Sequence, residues 1–306
     1  MRGKLRLQYA LGSRLITSKP MLHFPKISDF PLMSDDEIAH LLESVFEQGE
    51  DLIFNQFMID LLANPFWMAK KKASNKLSDL ILHLSKSISD SDRSEPSYHN
   101  QSHLKDVCLS MTLLLKSQLE LFPLANTLSP WKISDHESLT LLLCSICHDL
   151  GHDGTTNRYL FELEKKSIRL LQEYLESTSL ISFERKAIIN TIEPIIMATD
   201  PKYLPTLLTK FKLVGENLAR SDCMSMLMVE ADLLASALPK KGEILGQRLS
   251  EEWQLANPEA AASVKTDNGR LQFLEYIRFI SPQSQTLAIE RIRRLSINKL
   301  KSRIRI

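Results

Sequence analysis

The chain has 306 residues, 43% of them hydrophobic and 25% charged, which is material for one large globular domain or two small ones and excludes a disordered chain. Lys plus Arg number 38 against 37 Asp plus Glu, a formal net charge of +1, so no whole-chain field recruits nucleic acid and no specific nucleic-acid partner is expected. The 4 cysteines, Cys108, Cys144, Cys147 and Cys223, sit in apolar runs, which suits buried thiols in a reducing compartment such as the cytoplasm and not a disulfide framework.

The first segment, residues 1–23, is basic and rich in hydroxyls with no acid before Asp29, the composition of an organelle transit peptide or of a solvated terminus. Ser34, followed by three acids, reads as an N-cap opening a helix through about Gln48. Apolar residues at three-to-four spacing then predict helices at about 51–63, 76–89, 98–120, 135–147, 157–176, 183–198, 203–218, 220–237, 243–255 and 267–280. Ser, Pro and Asp content marks loops at 86–97 and 122–130, and ProLysLysGly at 239–242 reads as a turn. The expected fold is therefore all-α, one helical domain over 24–285. Residues 286–306 form a second basic, amphipathic extension, suited to an anionic membrane surface, to a protein partner or to a solvated helix end. No apolar run is long enough to span a bilayer.

Two segments carry chemistry. In Tyr98-His99-Asn100-Gln101-Ser102-His103 two histidines stand at i and i+4, which on a helix places both imidazoles on one face. In His148-Asp149-Leu150-Gly151-His152-Asp153-Gly154-Thr155-Thr156-Asn157 a histidine and an aspartate end an apolar helix and break at a glycine. One histidine on an apolar helix is ordinarily structural; His103, His148, Asp149 and their neighbours together form a mixed nitrogen and oxygen set that suits zinc, manganese, iron or magnesium. An Asp149 carboxylate has two oxygens and can bridge two ions about 4 Å apart, an arrangement that clamps a phosphoryl group. His23, His40, His83 and His136 lie outside this constellation.

These segments resemble the class I 3′,5′-cyclic nucleotide phosphodiesterases within the HD-domain metal phosphohydrolases, over about Tyr98 to Pro282. YHNQSHLKDV is similar to that family's YHN-x-x-H-x-x-DV helix, and HDLGHDGTTN to its HD-x-x-H-x-G-x-x-N signature. The resemblance implies a compact multi-helix fold and divalent-metal-dependent hydrolysis of cyclic AMP or cyclic GMP to the 5′-monophosphate, with two ions, zinc and magnesium or manganese. It makes His99 the general acid for the leaving O3′ and His103, His148, Asp149 and Asp232 the metal ligands. His152, Glu164, Asn157 and Asp200 would stand near the second ion, and Tyr98, Phe273, Arg270 and Gln272 at the substrate.

The departures lie in the base pocket: Arg270 occupies the family's glutamine position, Ala235 that of an asparagine and Leu204 that of a histidine. Gln272 is near in sequence but about two residues around the helix. Arginine presents a planar charged fork suited to guanine edges, carboxylates or a second phosphate. An HD-type phosphohydrolase of another nucleotide, metabolite or lipid headgroup is the alternative enzyme, and a non-catalytic protein with a vestigial metal site a third reading.

Overall fold

The computed structural model describes residues 22–91, 94–122, 129–214 and 218–304; most of the basic N-terminal segment, and with it the targeting expectation, lies outside them. Among the described residues the chain is all-helical, with no strand. The helices are α1 (Asp35–Glu47), α2 (Phe54–Leu62), α3 (Pro65–Lys71), α4 (Asn75–Ser89), α5 (Gln101–Leu121), α6 (Asp135–Cys147), α7 (Glu162–Glu176) and α8 (Ser182–Met197). They continue with α9 (Leu204–Val214), α10 (Arg220–Ala237), α11 (Pro239–Trp253), α12 (Pro258–Val264), α13 (Asp267–Tyr276), α14 (Pro282–Thr286) and α15 (Ile289–Ile304).

Local chemistry sets many of these ends. Ser34 and Ser134 each accept the amide three residues on, while Glu37 and Glu137 reach back to the cap amide, closing a capping box on α1 and α6. The three short helices that periodicity does not predict, α3, α12 and α14, all begin with proline after Asn64, Asn257 or Ser281 as side-chain cap. The same proline rule corrects the turn expected at 239–242: Pro239 opens α11, and Gly242 sits inside it because a Cβ there would lie 2.2 Å from the Ser236 carbonyl oxygen.

Three helices form the middle of the molecule. Every residue of α5 from His103 to Leu115 is buried, as is every residue of α6 from Ser138 to Cys147 and of α10 from Cys223 to Ala231. Apolar residues all round a helix demand neighbours on all sides, and α5 packs on α10, α6 and α14. Hydroxyls inside these helices bond their own preceding turn, Thr112 to Cys108 and Ser145 to Leu141. The buried Glu230 carboxylate accepts the amides of Ile280 and Ser281 and the hydroxyls of Ser281 and Ser284, fastening the start of α14 to α10. All four cysteines are free and buried, and no helix among the described residues is long and apolar enough to cross a membrane.

The C-terminal segment departs from the expected extension. In α15, Ile289, Ile292, Ile297 and Leu300 are buried, and the helix packs on α13, α1, α10 and α11. Its basic residues pair with acids of the same chain: Arg291 with Asp35, Lys299 with Asp36, Lys301 with Glu275 and Arg303 with Asp267 and Glu243. Alternating basic and aliphatic residues fit one face to the core and the other to the acidic rim. Ile292→Ala is expected to cost about 2–5 kcal/mol of stability in urea denaturation, as for a buried aliphatic truncation; a cost within about 0.5 kcal/mol, the value for a surface position, would contradict this packing.

Candidate active site

The start of α5, the end of α6 and the middle of α10 meet at one point. Asn100 caps α5, its side-chain oxygen accepting the amides of Ser102 and His103 while its NH2 donates to the carbonyls of Pro96 and Ser97. That places His103 in the first turn of α5 and leaves Tyr98 and His99 outside it, which corrects the expectation of one helical face for both histidines. The rings still converge, with centroids 5.7 Å apart. His148 is the C-cap of α6, Asp149 follows it, and positive φ at Gly151 (71°) and Gly154 (79°) turns the chain away.

His103 Nε2 lies 3.2 Å from Asp149 Oδ2 and 3.1 Å from Asp232 Oδ1; His148 Nε2 lies 3.1 Å and 3.5 Å from the same two atoms. The two Nε2 atoms are 3.4 Å apart. His148 Nδ1 donates to the Ser145 carbonyl at 3.1 Å, which points Nε2 at the cluster. Ligand bonds of about 2.0–2.2 Å separate neighbouring donors by about 3 Å, so His103, His148 and Asp232, whose ligand atoms lie within 4.8 Å of one another, could hold a metal ion, with Asp149 against both histidines. Burial alone would keep both imidazoles neutral, but hydrogen bonds and charge from Asp149 and Asp232 lift His103 to about 9 and His148 well above its usual range. Burial likewise opposes ionisation of the two aspartates, yet the histidines hold both below the usual carboxylate range.

Beside this cluster stands a second one, His99, His152 and Glu252. Glu252, from the last turn of α11, accepts the backbone amides of Tyr98 (2.7 Å) and His99 (2.9 Å) through Oε2, and its Oε1 bonds His99 Nδ1. The His152 ring stacks on His99, with centroids 3.6 Å apart, and burial beside His99 pushes it down to about 4, so it is neutral at pH 7. A Cβ at Gly154 would approach Glu252 Cγ to 3.1 Å, which explains a glycine there beyond its φ. Sequence reasoning misses Glu252: a glutamate in a helical run carries no motif, and only the packing of α11 against Tyr98 and His99 reveals it.

The remaining acids lie one layer out. Asn157 donates to both oxygens of Glu164 (3.2 and 3.0 Å) and accepts the Leu163 amide, starting α7, which begins at Glu162 and not near 157. Burial raises Glu164 to about 7, with Asp200 and Asp149 adding to it. Asp200 is fully buried and accepts the amides of Phe161 (2.7 Å) and Lys202 (2.8 Å), holding Phe161 at a left-handed φ of 66°. His23, His40, His83 and His136 are exposed and outside the site.

Residues 98–252, just over half of the chain, match the family model for 3′5′-cyclic nucleotide phosphodiesterase. The chain belongs to the 3′5′-cyclic nucleotide phosphodiesterase family. The matched stretch starts at Tyr98 and ends at Glu252, which are hydrogen-bonded to each other. The chain is similar in fold to the phosphodiesterase domain of the RhoPDE fusion protein from the choanoflagellate Salpingoeca rosetta, at a TM-score of 0.55 and 19% identity over 88% of this chain and 92% of that one. No curated protein matched the chain.

Two depressions reach the site of this phosphodiesterase. One, about 760 Å³, is an open groove between α4 and α7 that touches His99, Asp149 and His152. The other, about 290 Å³, is more enclosed and mostly apolar; Tyr98, His99 and Asp232 line one end and Phe273 and Arg270 stand on its wall. Its size and apolar walls suit a small, flat apolar group. Arg270 is 8% exposed, so it is not a surface residue, and one of its η nitrogens donates to the carbonyls of Leu238 (2.9 Å) and Pro239 (2.7 Å) across the α10–α11 junction. Its other η nitrogen faces Glu243 at 3.6 Å, so the fork expected to meet a ligand is largely taken up by the protein. Gln272 is exposed and does not line the cavity, in keeping with its place around the helix.

Proposed function

We propose that this phosphodiesterase hydrolyses cyclic AMP, cyclic GMP or both to the 5′-monophosphate with divalent metal, zinc and magnesium or manganese being the ions suited to the donors. The observation that carries this reading is the convergence of four donor atoms, from His103, His148, Asp149 and Asp232, with each histidine nitrogen 3.1–3.5 Å from both carboxylate oxygens, beside a histidine held by a carboxylate. His103, His148, Asp149 and Asp232 would hold the first ion. Asp149 would share its carboxylate with a second, near His152, Glu164, Asn157 and Asp200. Bound there, such ions polarise phosphoryl oxygens and make water nucleophilic at neutral pH.

The chain's own residues supply the rest. Water adds to phosphorus in line with the P–O3′ bond, which breaks, and the departing O3′ needs a proton. Glu252 accepts a hydrogen bond from His99 Nδ1 and aims the ring, so that the doubly protonated ring would give the proton on Nε2 to O3′ and be left neutral with its hydrogen on Nδ1. The stacked, neutral His152 keeps that ring from swinging. Phe273 offers its face to the base in the apolar cavity, with Tyr98 between base and metal ligands. The test is hydrolysis of both nucleotides by protein stripped with a chelator and by the same protein after Mg²⁺, Mn²⁺ or Zn²⁺ is restored. Turnover only with metal is expected; equal turnover without it would refute the metal role.

A further inference from the structure

The two depressions at the site meet at His99. Among the described residues it alone lines both: Asp149 and His152 border the groove between α4 and α7, whereas Tyr98 and Asp232 border the apolar cavity. The groove is the larger, about 760 Å³ against about 290 Å³, a size that accepts a small molecule. Leu84 and Ile88 from α4, Leu104 from α5, and Leu170 and Tyr174 from α7 give it apolar walls. Ile88, Leu170 and Tyr174 are only partly buried, so an apolar group laid against them removes more of their surface from water. Lys166 is the one lysine or arginine on the wall, and it is engaged by Asp153 at 2.7 Å. The groove therefore suits an uncharged, largely apolar group and not a second phosphate.

We propose that this groove seats the leaving alcohol of an acyclic phosphodiester, so that the enzyme cleaves diesters with two separate substituents as well as cyclic ones; this rests on the phosphodiesterase reading of the site. In a cyclic nucleotide both ester oxygens belong to one ribose, and one seat beside the cluster is enough. An acyclic diester carries two arms on one phosphorus. Here each arm has a seat, a nucleoside in the cavity and an apolar alcohol in the groove, with His99 between them. The oxygen of water bonds to phosphorus while the P–O bond to the groove-side alcohol breaks, its electron pair staying on the alcohol oxygen. That oxygen takes the Nε2 proton of His99, and a proton of the attacking water replaces it. The products are a nucleoside 5′-monophosphate and a free alcohol, so water is the one co-reactant.

The experiment measures kcat/KM of the metal-loaded enzyme on the methyl and butyl esters of adenosine and guanosine 5′-monophosphate, beside cyclic AMP and cyclic GMP. A fully buried methylene is worth about 4-fold, so three more of them in an open groove predict about 5- to 50-fold faster hydrolysis of the butyl than of the methyl ester. Leu170→Glu sets a charge on the groove wall and should lower the ratio of butyl-ester to cyclic-nucleotide turnover by about 10-fold. Cyclic nucleotides hydrolysed with no acyclic ester cleaved would overturn the inference and leave the phosphodiesterase reading intact. Equal rates on methyl and butyl esters would also overturn it, because the alcohol then has no apolar seat. Butyl esters cleaved without turnover of either cyclic nucleotide would support the inference and refute the cyclic substrate; no turnover on any of them would refute both. Should Leu170→Glu fail to fold, the methyl and butyl series on the native enzyme still decides.

Discussion

Asp149→Asn is expected to lower kcat/KM on cyclic nucleotides by about 10³-fold or more while leaving the helical fold unchanged. Asp149 Oδ2 is within 3.2 Å of both His103 Nε2 and His148 Nε2, and the carboxylate has a second oxygen that another ion could share. Losing its charge removes several kcal/mol of stabilisation for the charge that develops on the phosphoryl group, and each 1.36 kcal/mol is tenfold in rate. Asparagine keeps the volume, and the side chain is partly exposed at the cavity mouth, so circular dichroism and the urea midpoint should change little. A variant with more than a tenth of native turnover would remove Asp149 from the catalytic centre.

The second large effect belongs to His99. His99→Ala should reduce kcat by about 10²–10⁴-fold, the ordinary worth of general acid help, without reducing bound metal. Glu252→Gln separates a positioning partner from the acid itself: it puts an NH2 group where a carboxylate oxygen meets His99 Nδ1, disturbing tautomer and aim, and should cost about 10- to 100-fold in kcat with a displaced pH profile. A merely structural Glu252 would lower stability and leave the pH profile of the surviving enzyme unmoved. Metal lost from His99→Ala would place His99 among the ligands instead.

Much of this fold is legible in the sequence because it is written in local chemistry. The capping boxes at Ser34 and Ser134 and the apolar runs of α6 and α10 give their helices directly, and His148-Asp149 before a glycine marks the end of α6 as a place where side chains turn inward. Tertiary packing decides what local pattern leaves ambiguous. Helix α5 begins at Gln101 because Asn100 caps it and Glu252, about 150 residues away in the chain, takes the amides of Tyr98 and His99. That the basic tail forms a helix packed on the domain, with acidic partners on α1, α11 and α13, is set by residues far away in the chain. Arg270 reads as a ligand-facing fork or as a surface residue, and its actual role as a clamp on two carbonyls depends on where α10 ends and α11 starts.

The most direct measurement is the metal content of the purified chain by inductively coupled plasma mass spectrometry, native against Asp232→Asn, with turnover of cyclic nucleotide recorded on the same samples. Asp232 contributes to the cluster from α10, independently of the HisAsp segment. A four-ligand metal centre predicts tightly held metal in the native protein, its loss in the variant and a parallel loss of turnover; full metal occupancy and activity in Asp232→Asn would contradict it.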